Sequence, residues 1–198
     1  MPGSGPTSDV RLAVPHGARH HTMSPGPWLT QRQLHKAFLS PLAPAVVSKS
    51  DLNEKPLDVD LSPPLPRRVR LYIYNATQPP GGRPTGEHKI QLIVPGQTRG
   101  QRASFDHSDG RIVILAGHDS ELEVFVLWDA GMYQEFAWSR NVQVGAQTMY
   151  RAYAGEIAMQ QRRIRGQGIE TVVATPSTRL AEAILRRLNL TRLRLATP

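Results

Sequence analysis

Residues 122–128, Leu-Glu-Val-Phe-Val-Leu-Trp, form a nearly continuous apolar run of the kind found in a strand covered on both faces. The rest of the chain must then supply a sheet around that strand and layers to flank it. Val69, Leu71 and Ile73 alternate with Arg70, Tyr72 and Tyr74, the period-2 pattern of a half-buried strand. Further strands fit 87–94, 112–116, 141–144 and 170–174, with turn-rich Gly and Pro segments between them. Helical spacing follows Gln147, where Met149, Ala152, Tyr153 and Ile157 share a face and Arg151, Arg162 and Arg163 look outward. Thr175 and Pro176 then supply a cap and a first-turn proline for a helix with Leu180, Ala181, Ile184, Leu185 and Leu188 inward. The fold class is therefore α+β, a curved mixed sheet or small open barrel flanked by two helices, occupying 67–198.

The N-terminal third has a different texture. Residues 1–27 hold Pro, Gly, Ser and His with no hydrophobic period and are expected to be disordered, with Met23 as a candidate initiator. Residues 28–40 form a short docking helix, capped by Thr30, with Leu34, Ala37 and Phe38 on one face. Residues 41–66 read as a Pro-rich linker carrying a mixed charge run.

The chain has no cysteine, which removes disulfide frameworks, thiol nucleophiles and cysteine-ligated zinc. No stretch reaches the roughly 18 apolar residues of a membrane span, and no secretory signal begins the chain, so a soluble cytoplasmic protein is expected. The net charge of +8 favours a polyanionic partner. From Arg151 onward nine Arg face three acids, which puts most of the excess on the C-terminal part.

Glu87 and Lys89 project a carboxylate and an amine to one face of a strand, as many Mg²⁺-dependent nucleases do. A cross-strand ion pair on a solvent face explains the same pair; the nearest upstream acids, Asp58 and Asp60, fall in the apparent linker, and Asp106, Asp109 or Asp129 could complete a nuclease core only from downstream, against the usual chain order. Outside that alternative no cofactor or metal site is expected, since the histidines lack metal-ligand spacing. Trp128, Asp129, Trp138, Ser139, Asn141 and Gln143 gather aromatic faces, amides, a hydroxyl and a carboxylate near strand ends. A flipped base needs such groups, although Trp128 also suits a core and Asn141 and Gln143 an outward strand face. The loops at 78–86 and 95–102 pair glycine with Arg83, Arg99 and Arg102 and suit phosphate contacts, as do Arg151, Arg162 and Arg163, but neither loop is a P-loop.

Arg83-Pro84-x-x-Glu87-x-Lys89-Ile90-Gln91, then residues 124–129, then Ser139-x-Asn141-Val142-Gln143-Val144, resemble in this order the SRA-like reading domains of bacterial modification-dependent restriction endonucleases, of the MspJI and McrA-like types. The resemblance implies a PUA-like curved sheet that extrudes a modified base such as 5-methylcytosine from double-stranded DNA into a pocket. It also implies a nuclease on a separate chain or domain. A protein-interaction subunit without catalysis is the third reading, with the helix at 28–40 as its docking element.

Overall fold

The computed structural model describes residues 28–77 and 86–196. The start at 1–27 and most of the first Gly-Arg loop, Arg83 included, lie outside the described residues. A capping box starts the first helix, α1 (Gln31–Leu39): the Thr30 hydroxyl accepts from the Gln33 amide at 3.3 Å, and Gln33 Oε1 accepts from the Thr30 amide at 2.8 Å. Then come β1 (Val46–Lys49), β2 (Leu57–Leu61), β3 (Arg68–Asn75), β4 (Glu87–Leu92), β5 (Arg102–Ala103), β6 (Ile112–Asp119), β7 (Val124–Trp128), β8 (Phe136–Ala137) and β9 (Arg140–Gly145). The chain continues through α2 (Ala146–Tyr153), β10 (Ala158–Ile164), β11 (Gly168–Pro176) and α3 (Leu180–Ala196).

Seven strands form one curved mixed sheet that does not close, in the order β1-β2-β3-β6-β7-β11-β10. Only the β3–β6 pairing in it is parallel. β7 lies inside this sheet and every one of its residues is buried. Phe125 and Leu127 face a layer made by α1 and α3, with Leu34, Phe38, Leu180 and Ile184. Val124, Val126 and Trp128 face the opposite layer, built from the β4–β9 ribbon, the short β5–β8 ribbon and α2. The double cover expected of residues 122–128 is met over Val124–Trp128, by helices on one side and by ribbons with a helix on the other, while Leu122 and the exposed Glu123 belong to the preceding turn. Among the described residues no helix is long and apolar enough to cross a membrane.

Three expectations are corrected. The segment at 41–66 is not a linker, because β1 and β2 extend the sheet beyond β3 and bury Leu57, Val59 and Leu61 to 1% exposure or less. Its Leu-Asp-Val-Asp-Leu text is a period-2 strand whose aspartates resemble a solvated charge run; burying each apolar side chain contributes about 1.5–3 kcal/mol. The folded unit therefore includes α1, whose Phe38 meets Phe125 edge-on at 5.7 Å. β3 is covered on both faces rather than one, since Arg70, Tyr72 and Tyr74 are buried beside Val69, Leu71 and Ile73. Finally, the helix after Gln147 stops at Tyr153, near Gly155 with φ of 99°, and Ala158–Ile164 is a strand paired with β11. The three expected helices, one before the sheet and two after β9, are all present among the described residues.

Candidate nucleic-acid interface

β4 and β9 pair antiparallel with Glu87 opposite Gly145, Lys89 opposite Gln143 and Gln91 opposite Asn141. Strand alternation sends His88, Ile90, Leu92, Val142 and Val144 inward. Glu87, Gln91, Asn141 and Gln143 are exposed on the outer face, with Lys89 partly exposed among them. Elsewhere Gln97 and Gln160 spend their amides on backbone groups, so the outward amides of this ribbon are a distinct set.

The ribbon is clamped from behind. The carbonyl of Gln143 accepts from Trp128 Nε1 at 3.3 Å and from Arg162 Nη1 at 2.6 Å. The amide of Gly145 donates to Gln160 Oε1 at 2.7 Å. His88 Nδ1 lies 2.8 Å from Asp119 Oδ2 at the end of β6. Burial opposes ionisation of Asp119, but hydrogen bonds from His88 and from the amides of Leu122 and Glu121 outweigh it and hold its pKa below the usual value. Gly117 permits the close approach, because a Cβ there would sit 2.8 Å from Ile90 and 3.0 Å from Trp128.

A buried polar layer stands beside the clamp. The Glu170 side chain has no exposure and accepts from the Tyr133 hydroxyl at 2.7 Å and the Asp129 amide at 3.0 Å, with Arg162 Nε at 3.1 Å. Burial is the main force on Glu170 and pushes its pKa up. Asp129 in turn holds Arg194 Nε at 2.8 Å and Arg187 Nη2 at 3.4 Å, both from α3. Asp129, Arg187 and Arg194 border a cleft of about 610 Å³ whose walls include Phe105, Ile184, Leu188 and Thr191.

The expected base pocket is therefore divided. Trp128 is 1% exposed and cannot offer a face to a base; it is a positioning residue behind Gln143. Asp129 lines the cleft but is saturated by arginine. Asn141 and Gln143 stand on the outer face of the ribbon, while Trp138, 39% exposed, and Ser139, with φ of 59°, form the turn that enters β9. Of the expected phosphate contacts, Arg162, 21% exposed, is engaged by the Gln143 carbonyl and Glu170. Arg151 pairs with Glu156 and Arg102 with Glu135, each on the surface. Arg99 is exposed, and Arg163 is exposed on the face of β10 away from the ribbon. Arg83 lies outside the described residues.

Glu87 and Lys89 do share a strand face, but Glu87 looks across at Gly145, which offers no ligand. The acids that could complete a metal site are committed elsewhere. Asp58, Asp106 and Asp109 surround Arg70, Asp60 holds Arg111, and Asp129 holds the α3 arginines. Among the described residues no cluster of three or more His, Asp and Glu is placed to hold a metal ion.

Sequence reasoning misses Glu170, Tyr133, Arg187 and Arg194. A signal exists for two of them: Glu170 is a lone acid in the strand text Ile-Glu-Thr-Val-Val, and Arg187 falls on the helix face of Ala183 and Ile184. Residues 67–184 match the family model described as methylase-associated X1. No curated protein and no solved structure matches the chain.

Proposed function

The chain belongs to the methylase-associated X1 family, a restriction-modification-related domain, and from that membership we propose that it is the double-stranded-DNA recognition module of a restriction-modification system. The observation that carries this reading is the outer face of the β4–β9 ribbon, where Lys89, Gln91, Asn141 and Gln143 lie in register on a backbone clamped from behind. Segments 86–102 and 134–154, which build most of the layer on this side, contain five Lys and Arg against two Glu. That sign suits phosphate, and the exposed Tyr150 and Tyr153 of α2 extend the surface with aromatic groups. The family's name links this role to methylation, and cleavage belongs to another chain or domain.

Arg99→Ala combined with Arg140→Ala tests the electrostatic part. Fluorescence anisotropy against one duplex at several salt concentrations should show weaker binding and a salt slope reduced by about 0.9 for each phosphate that is no longer neutralised. Salt-independent binding, or none, would sink the reading.

Extrusion of a modified base is the second reading, and the cleft bordered by Phe105, Asp129, Arg187 and Arg194 favours it. It offers an apolar wall and the Arg187 Nε, which has no hydrogen-bond partner among the described residues, to a base edge, with a volume in the range of small-ligand sites. Matched duplexes with and without 5-methylcytosine test it; a preference of tenfold or more for the modified duplex is expected, and equal binding removes this mode.

A further inference from the structure

Resting on the DNA-binding reading above, we infer that the ribbon reads adenine in the major groove through paired side-chain amides, and that N6-methylation of those adenines blocks the contact. Three of the five outward side chains are primary amides, and the register places Gln91 beside Asn141 and Gln143 beside Lys89. Asn and Gln make bidentate contacts to adenine, the amide oxygen accepting from N6–H and the amide N–H donating to N7. Lys supplies donors to guanine O6 and N7.

The spacing fits the ligand. Same-face residues on a strand are roughly 6.8 Å apart, two steps of about 3.4 Å, and base pairs in a duplex rise by about 3.4 Å each. The Gln91–Asn141 pair and the Lys89–Gln143 pair thus meet bases separated by one intervening pair. Cross-strand neighbours lie about 5 Å apart, so the four side chains fit a groove about 12 Å wide. The acid at the other end of the face, Glu87, disfavours phosphate there and keeps the ribbon on base edges. The clamp on the Gln143 carbonyl fixes the backbone from which the amides extend. A methyl group on N6 takes the place of the hydrogen that the amide oxygen accepts, so the contact distinguishes methylated from unmethylated adenine.

The test is selection of bound duplexes from a randomised pool by the full chain, followed by anisotropy on the enriched duplex. Adenine should be enriched at positions flanking one intervening base pair. Replacing an enriched adenine by 7-deazaadenine or N6-methyladenine should weaken binding by roughly five- to 150-fold, the range of one good bidentate contact. Asn141→Ala and Gln143→Ala should each erase one enriched position and leave the salt slope unchanged, with circular dichroism confirming the fold. Selection without adenine, or indifference to both analogues, overturns the inference while leaving DNA binding in place. Failure to retain any duplex removes the DNA-binding reading and this one together.

Discussion

Arg162 joins the ribbon to the sheet, and its removal should show how much of the fold depends on that joint. In Arg162→Met the Glu170 side chain, with no exposure, loses the guanidinium 3.1 Å away and keeps only the Tyr133 hydroxyl and the Asp129 amide. Breaking a buried ion pair from one side costs about 3–5 kcal/mol. Arg162 is 21% exposed, so water replaces part of the missing interaction and the lower end, about 3 kcal/mol, is expected. The Gln143 carbonyl keeps its bond from Trp128, which limits the additional cost. For a domain of this size the destabilisation corresponds to a drop in Tm of roughly 6–12 °C. Urea unfolding of Arg162→Met, Glu170→Gln and the double variant completes a cycle, in which about 2 kcal/mol of coupling should separate the double from the sum. The pH dependence has a definite sign. Burial raises the Glu170 pKa in the fold, so the folded state binds the proton more readily than the unfolded chain, and stability falls as pH rises through that interval. Without Arg162 the pKa rises further, and the deficit of Arg162→Met should shrink between pH 7 and pH 5. A destabilisation under about 1 kcal/mol, additive single variants, or a deficit that grows on acidification would refute the account.

Gly117→Ala should cost about 1–3 kcal/mol, since its new methyl meets Ile90 and Trp128 between sheet and ribbon; thermal melting checks this, and an unchanged Tm would mean that the ribbon yields easily. Lys55 lies 3.7 Å over the Tyr74 ring, and burial lowers its pKa to about 8. The unfolded chain binds the proton more readily between about pH 8 and 10.5, so stability rises with pH across that window, by at most roughly 3 kcal/mol. Urea titrations of wild type and Lys55→Met at pH 7, 8.5 and 10 should show Lys55→Met more stable at pH 7 and the difference closing on the alkaline side.

The parts of the fold legible in the sequence are those where one pattern dominates. The apolar text of β7 announces a doubly covered strand, and Asn141, Gln143, Val142 and Val144 announce the two faces of β9. β2 is hidden because its outward positions are aspartates, whose partners Arg70 and Arg111 are remote in the chain. β10 has the look of helix because Arg162 and Arg163 continue a basic face and the break at Gly155 is a single residue. Trp128 and Gln143 do belong together, but alternation alone does not reveal that the indole donates to the Gln143 backbone from behind. Burial separates a residue that touches a ligand from one that aims another, and burial depends on contacts distant in sequence.

The matched family span begins at residue 67, whereas α1, β1 and β2 precede it and are part of the same folded unit. Any transplantation of this module has to respect that mismatch. A fusion cut at residue 67 would leave β3 without its antiparallel neighbour, turning an interior strand into an open edge rich in Val, Leu, Ile and Tyr. Such an edge recruits other chains, so the shortened module would self-associate.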